Sequence, residues 1–344
     1  MTISVIIPVY KVEKYVRRCL ESVIDQESNG FNIECLIVDD CSPDGSMTIV
    51  EDIIKNYHGS SISFKIIKHE ENKGLSAARN TGIKASTGDF LFFIDSDDSI
   101  LENTFKNFVA YSVEYPFADM ILGNSLGTED NYLSNTSVTK NDNSPCFIED
   151  KRRILYLVLM RRIDRHAWNK LVRRSLVVDN DLYFDIGLLY EDVTWTYRLY
   201  SCVSSILIVP ELTYMYEYNP SSIVHTPEER SSKMIKSFVF ISEFLVNNPP
   251  KINKKESFFT EHSLFVYHWM IQTVDLCDKF GAHAQTRVKF NALKRRLFWR
   301  SVYHLRLIMA LYFLTLFKPF SWLLKMRVYR SNIDRINHVV YQLS

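Results

Sequence analysis

The sequence predicts an α/β protein: a mostly parallel sheet with helices on both faces, continued by a helical C-terminal region. Three observations predict it. Short apolar runs alternate with stretches of helical period between residue 3 and about residue 125. Two of the runs end in neighbouring carboxylates, at Asp39-Asp40 and at Asp95-Ser96-Asp97-Asp98, so charge gathers where strands of a parallel sheet finish. From about residue 230 the pattern is largely helical.

Taken in order, Ser4 to Tyr10 reads as a strand buried on both faces. Tyr15, Val16, Cys19, Leu20, Val23 and Ile24 then make an apolar stripe at helical spacing, completing one βα unit. A strand at Glu34 to Asp40 leads to a helix through Met47, Ile49, Val50, Ile53 and Ile54, with Ser42, Asp44 and Ser46 suited to capping its start. A third strand, Phe64 to Lys68, precedes a helix near Leu75 to Ala85, and Asp89 to Ile94 is the fourth strand. Residues 127–146, rich in Asn, Ser and Thr, read as a long loop or irregular hairpin that joins two halves. Beyond it the spacing predicts helices over 149–162 and 190–201 and a strand at Ile206 to Pro210.

Bulk composition sets limits. A chain of 344 residues with 47% hydrophobic and 24% charged residues folds around a sizeable core. A net charge of +1 argues against a dedicated nucleic-acid binder. The six cysteines are scattered, with no CxxC pair, and fit a reducing compartment. The apolar start, Met1 to Pro8, has no basic residue before it and is too short for a signal peptide, so it reads as the first strand. Asn135-Thr136-Ser137 is accordingly a chance match to a glycosylation acceptor. No apolar run reaches the ~20 residues that span a bilayer, and Leu307 to Phe317 is about half that length.

The acidic strand ends carry the chemistry. Side chains two apart on a strand share a face, so Asp95 and Asp97 repel each other unless something positive sits between them. Tyr10 follows the first strand, Asp39 and Asp40 the second, and Asp95, Asp97 and Asp98 the fourth, which brings all of them to one rim. One acidic loop is accounted for by helix capping; two that converge ask for a ligand. Oxygen donors without His or thiolate neighbours suit Mg²⁺ or Mn²⁺. Such a cation keeps positions open for phosphate and neutralises a departing diphosphate. The chain has neither GxGxxG after the first strand nor GxxxxGK[ST], so a glycine loop is not the phosphate holder.

Five ordered segments, SVIIPVYK (4–11), LIVDDCSPDGS (36–46), NKGLSAARNTGI (72–83), GDFLFFIDSDD (88–98) and LYEDVTW (189–195), resemble the family 2 glycosyltransferases. The resemblance implies a GT-A fold over residues 1–225, with a nucleotide-binding part at 1–125 and an acceptor part at 126–225, and leaves 226–344 as the helical region. It implies that the Pro8 backbone, Tyr10 and Asp40 hold the nucleotide base and that Arg79 faces the nucleotide or diphosphate, or else pairs with a sheet Asp. The family's DxD falls on Asp95-Ser96-Asp97, with Asp97 as metal ligand, Asp95 near the ribose or the metal, and Asp98 hydrogen-bonding nearby in the sugar and acceptor pocket. Its acceptor-side carboxylate falls on Glu191-Asp192: Asp192 as general base, Glu191 placing the acceptor. His166-Ala167-Trp168-Asn169-Lys170-Leu171 is similar to the segment lining the sugar side, so Trp168 covers a sugar face or serves packing, and Lys170 meets phosphate or hydroxyl.

Two departures stand out. Cys41 occupies the place of the family's usual Gly after the paired Asp, and no Arg precedes Ser222-Ile223. The implied activity is an inverting, Mn²⁺- or Mg²⁺-dependent transfer of a hexose from a UDP-type donor to a lipid-linked glycan, in bacterial surface-polysaccharide assembly at the cytoplasmic face of the membrane. The rivals are a nucleotidyltransferase and a non-catalytic sugar-nucleotide-binding subunit. Between Lys279 and Asn332 there is no Asp or Glu, while basic residues interleave with Phe298, Trp299, Tyr303 and later aromatics. That composition reads as a segment lying on an anionic membrane surface, with nucleic acid and an ordinary core helix as the other readings.

Overall fold

The computed structural model describes residues 1–26, 30–127, 144–219, 227–250, 259–281 and 284–303. Most of the 127–146 loop, the Asn135 sequon, Ser222-Ile223 and the tail from residue 304, Leu307 to Phe317 included, lie outside the described residues. The chain forms two units, Met1–His225 and Thr226–Ser344.

The first unit is one mixed sheet with helices. In chain order its elements are β1 (Thr2–Val9), α1 (Val16–Ile24), β2 (Asn32–Asp39), α2 (Ser46–Lys55), β3 (Ile62–Lys68), α3 (Leu75–Ala85), β4 (Phe90–Phe93) and β5 (Ser99–Ile100). There follow α4 (Thr104–Glu114), β6 (Met120–Gly127), β7 (Cys146–Ile148), α5 (Lys151–Leu159), β8 (Lys170–Arg173), α6 (Arg174–Asp179), α7 (Glu191–Cys202) and β9 (Ile206–Tyr216). The strand order is β3-β2-β1-β4-β8-β6-β9-β5, with β7 also paired to β9. The four longest ladders, β1 with β2, β2 with β3, β1 with β4 and β6 with β9, are parallel. β8 runs antiparallel between β4 and β6.

This order positions the site. From β1 the chain winds outward through β2 and β3, then returns to place β4 on the other side of β1. The loops after β1 and β4 therefore diverge, and a crevice opens at their carboxyl ends. Ile3, Val5, Ile7 and Val9 of β1 pack with Cys19, Leu20 and Val23 of α1 and with Phe92 of β4, which fixes the strand ends from behind. On the opposite face α3 lies against β1 at Gly82, where an added Cβ would stand 2.4 Å from Ile6 Cγ2. That close approach sets Arg79, one turn earlier, at the strand ends.

The parallel βα units stand where the hydrophobic pattern puts them, while α4, β6 and β8 received no assignment from it. β9 also runs past Pro210 to Tyr216, because the register of β6 against β9 shifts between Leu122 and Asn124. Asn124 Nδ2 donates to the carbonyls of Val209 and Pro210 at 3.2 and 2.8 Å, so the irregularity absorbs the proline and the ladder resumes.

The second unit is helical: α8 (Pro227–Asn247), α9 (Phe259–Phe280) and α10 (Ala284–Tyr303). Phe238 packs on Trp269 with centroids 5.0 Å apart, and Ile241, Leu245, Val266, Phe290 and Leu297 are buried. Among the described residues no helix is long and apolar enough to cross a membrane.

Candidate active site

The site begins where β4 ends. Asp95 Oδ1 accepts from Arg79 Nη2 at 2.6 Å, and Arg79 Nη1 donates to Glu191 Oε1 at 2.5 Å. Arg79 is 2% exposed, with burial working against its charge and Asp95, then Glu191, holding it protonated. Asp95 at the acidic strand end is thus paired with the guanidinium of α3, which bridges the loop after β4 to the start of α7 and leaves Asp97 to other partners. The guanidinium face is covered by Phe184, whose ring centre lies 5.2 Å away and which stacks on Trp195 at 4.6 Å. Trp195 in turn meets Phe93 edge-on at 5.4 Å, so this aromatic layer fixes α7 against β4.

Glu191 and Asp192 open α7. Tyr190 before them adopts φ 60° and ψ 39°, a left-handed conformation that turns the chain into the helix with both acids in its first turn. Burial pushes the Glu191 carboxyl up to about 7 against the pull of Arg79. Asp192 is half-buried, and its carboxylate accepts no hydrogen bond among the described residues. An oxygen of that kind is available to a substrate proton.

In the DxD loop, Asp97 Oδ2 accepts from Asn219 Nδ2 at 2.8 Å, and Arg18 donates to the Asp97 carbonyl at 3.1 Å. Burial first, and the charge of Asp95 second, push the Asp97 carboxyl up. A cation beside it would relieve both effects. Among the described residues no three His, Cys, Asp or Glu side chains form a ready metal cage. The carboxylate oxygens of Asp97 and Asp95 are donors of the kind a hard cation takes, one or two from the protein with phosphate and water filling the rest of its shell, as with Mg²⁺.

At the other end of the crevice, Tyr10 is 40% exposed, with Lys11 Nζ 5.3 Å from its ring centre. Pro8 lies buried in β1 opposite Val38. Asp40 is buried: its Oδ1 lies 2.7 Å from His69 Nδ1 and accepts from Lys73 N–H at 2.8 Å, and its Oδ2 accepts from Gly74 N–H at 2.8 Å. A carboxylate has about four acceptor sites, so one on Oδ2 remains. Cys41 follows at φ 58°, the left-handed region in which Gly is at ease.

The family model of glycosyl transferase family 2 matches residues 4–182. The chain belongs to the family 2 glycosyltransferases. Putative glycosyltransferase EpsH of Bacillus subtilis is 31% identical over 77% of this chain and 74% of that protein. Glycosyltransferase GlyA of Streptococcus pneumoniae is 32% identical over 64% of this chain and 31% of its own length. Among solved structures, residues 1–349 of Staphylococcus aureus TarS with UDP-GlcNAc superpose with a TM-score of 0.62 at 22% identity, covering 92% of this chain and 91% of that one. The mannosyltransferase PcManGT of Pyrobaculum calidifontis, with GDP-Man and Mn²⁺, gives 0.53 at 14% identity over 99% and 86%. These likenesses establish the GT-A type of fold, and family membership sets aside the nucleotidyltransferase and the non-catalytic subunit.

The glycosyltransferase brings Tyr10, Asp40, Arg79, Asp95, Asp97, Glu191 and Asp192 to the strand ends, but three residues expected at the sugar pocket are turned inward. Asp98 is 1% exposed, its Oδ2 accepting from Tyr214 hydroxyl at 2.7 Å and its Oδ1 from Glu217 N–H at 2.9 Å. It ties the DxD loop to the end of β9. Lys170 is buried, its Nζ donating to the carbonyls of His166 and Trp168 at 2.5 and 3.3 Å, and desolvation lowers its pKa. Trp168 is buried between stacking partners His166 and Tyr214, at 4.6 and 4.4 Å, so packing is its job. Arg18, His69 and Asn219 touch the cluster although no motif marked them, since their partners lie 79, 29 and 122 residues away.

Proposed function

We propose that this glycosyltransferase moves a hexose from UDP to a hydroxyl of a lipid-linked glycan with inversion at the anomeric carbon, in assembly of a bacterial surface polysaccharide such as a capsule, exopolysaccharide or O-antigen. The observation that carries the reading is the Arg79 bridge, which holds the DxD carboxylate Asp95 and the acceptor-side carboxylate Glu191 on one guanidinium. Donor and acceptor groups are thereby kept at one reaction centre.

In this reading the Tyr10 ring supports the base, the Pro8 backbone borders it, and the remaining acceptor site of Asp40 takes a base N–H. UDP is favoured because the fold match with TarS includes that protein's complexes with UDP-GlcNAc and UDP. Asp97, with the free oxygen of Asp95, would hold a Mn²⁺ or Mg²⁺ ion, which supplies charge neutralisation to the departing diphosphate. Asp192 takes the proton of the acceptor hydroxyl as its oxygen bonds to the anomeric carbon, and the bond from that carbon to the β-phosphate oxygen breaks on the opposite face. Glu191, fixed by Arg79, keeps the first turn of α7 in place. The test is a screen of nucleotide sugars for Mn²⁺-dependent binding and hydrolysis. Preference for UDP donors is the expected result, and equal use of GDP donors would refute the base-pocket assignment.

The acceptor's lipid places the enzyme at the inner face of the cell membrane as a peripheral protein. Support comes from α10, where Val288, Arg295 and Trp299 are exposed along a run without acidic residues. Replacing Arg295 with Glu and Trp299 with Ala together should reduce sedimentation with anionic vesicles at low salt; equal sedimentation would remove this support.

A further inference from the structure

The proposed chemistry uses Arg79 and Asp192 at one end of the crevice and leaves a buried histidine at the other end without a task. His69 follows β3 directly, and its backbone N–H donates to the carbonyl of Asp39 at 2.9 Å, which extends the β2–β3 ladder and sets His69 beside Asp40. Asp40 is placed in the same manner. Its own N–H donates to the Val9 carbonyl at 3.0 Å, one step past the Val9–Asp39 pair, at the level where Tyr10 follows β1. Both ring nitrogens of His69 are engaged. Nδ1 lies 2.7 Å from Asp40 Oδ1 and Nε2 lies 2.9 Å from the Thr81 hydroxyl of α3, with the side chain 7% exposed.

The direction of these bonds follows from what each partner can do. Asp40 already accepts from the N–H groups of Lys73 and Gly74, one on each oxygen at 2.8 Å, so it is the acceptor toward the ring as well and Nδ1 carries the hydrogen. A neutral ring protonated at Nδ1 is bare at Nε2, and the Thr81 hydroxyl is the donor that this nitrogen needs. Thr81 thus holds the tautomer, and the tautomer holds Asp40. The start of α3 is already tied to Asp40 by two backbone N–H groups, so the ring is not required for that tie. What the ring adds is a third donor, which fills Oδ1. Of the roughly four acceptor sites on a carboxylate, one on Oδ2 then stays open, on a side chain that its donors keep from turning. Such a group can only accept. It separates two bases of nearly one shape, because uracil presents N3–H at the edge where cytosine presents a bare N3, and a site built to bond an N–H rejects the analogue that lacks it.

We infer that His69 is a positioning residue for base selection: through the Thr81–His69 relay it holds Asp40 as a fixed acceptor, so that a uridine diphosphate is taken and a cytidine diphosphate refused. The inference rests on the proposed placement of the base at Tyr10 and Asp40, and it adds two residues and a criterion of choice to that placement.

The experiment titrates the full chain with UDP and with CDP in the presence of Mn²⁺ by calorimetry, beside heteronuclear NMR of the His69 ring without nucleotide. The parent should prefer UDP. His69→Leu should cut the ratio of UDP to CDP affinity by about tenfold to a hundredfold, the range of one hydrogen bond to a charged group. A pocket that had merely loosened would weaken both nucleotides and leave the ratio alone. His69→Asn should keep most of the parent's ratio, because its amide N–H reaches the place of Nδ1–H. Thr81→Val, which keeps the volume and removes the hydroxyl, should lower the ratio too and move the ring toward its Nε2–H tautomer, and it tests the relay even if His69→Leu does not fold. An unchanged ratio in either variant, a parent that binds UDP and CDP alike, or a parent ring with its hydrogen on Nε2 alone overturns the proposal, the last without any nucleotide. Asp40→Asn separates the relay from the pocket. A ratio that falls there but holds in His69→Leu overturns the relay and spares the base placement, whereas a ratio that holds in Asp40→Asn overturns both.

Discussion

Replacing Arg79 with Met isolates what one buried guanidinium does for this enzyme. The side chain is 2% exposed and meets Glu191 at 2.5 Å and Asp95 at 2.6 Å. Met keeps most of the volume and removes the charge. Breaking a buried pair by deleting one partner costs about 3–5 kcal/mol, because the other charge stays behind without compensation. Two features place this case at about 3 kcal/mol, the lower end of that range. Asp95 is 26% exposed and rehydrates, and Arg79 Nε is buried without a partner, so its desolvation cost disappears with it. At roughly 2–4 °C per kcal/mol for a unit of this size, the melting temperature at pH 8 should fall by about 6–12 °C. The pH dependence has a definite sign. Burial already holds the Glu191 carboxyl at about 7, above its ordinary 4.5, and loss of Arg79 removes the pull that lowers it. A carboxyl raised in the folded state contributes its full stability below the unfolded value and loses it as pH rises through the folded value. The deficit of the variant should therefore shrink between pH 8 and pH 5. Thermal melts at both pH values test this: a variant within about 2 °C of the parent at pH 8, or a deficit that grows on acidification, refutes the bridge as the holder of the cluster.

Asp192→Asn should lower transfer turnover by about 10²–10⁴ with donor affinity almost unchanged, because the carboxylate is assigned to the acceptor proton alone; a matching loss in calorimetric UDP affinity would move Asp192 into the metal site. Asp97→Asn should abolish the Mn²⁺ dependence of UDP binding, and a variant that binds UDP with Mn²⁺ as tightly as the parent removes the metal assignment. Cys41→Gly should raise stability by about 0.5 kcal/mol in urea melts, since relief of the left-handed strain of roughly 1–2 kcal/mol exceeds the entropy that Gly adds to the unfolded chain. A loss instead would show that the Cys41 Sγ contact with the Glu70 carbonyl, at 3.7 Å, matters more than the strain.

The parallel half of the sheet was legible because its information is local. Apolar runs of β1 and β2 are buried along nearly their whole length, and a strand of that kind writes itself as a continuous hydrophobic stretch. The helices between them carry their own stripes, as Val16, Cys19, Leu20 and Val23 of α1 do. β8 is only four residues long, so no period of two could announce it. Pro210 read as the end of a strand because the irregularity that accommodates it belongs to β6, more than eighty residues earlier.

The site divides in the same way, and the division explains which side chains turn inward. Residue types and spacing bring Asp95, Asp97 and Asp98 to one loop, but they cannot say which of three neighbouring carboxylates faces the crevice. That choice is made by Tyr214 and Glu217, which stand 116 and 119 residues further on and draw Asp98 inward. Lys170 is decided similarly: its head group reaches the carbonyls of its own turn, and only the burial of that turn makes those carbonyls its best partners. The charge of Asp95 does act on Asp97, although both lie in the turn after β4 and not on one strand face. The cation that the fold supplies first is Arg79, paired to Asp95 sixteen residues on and to Glu191 at a separation of 112. A divalent ion held at Asp97, as proposed, would therefore act on a cluster already partly neutralised. Metal removal should then cost this enzyme donor binding without unfolding its rim, whereas loss of Arg79 should disturb the rim itself. Melting the metal-stripped parent beside Arg79→Met separates the two, and a stripped parent as destabilised as the variant would place the metal, and not the guanidinium, at the centre of the cluster.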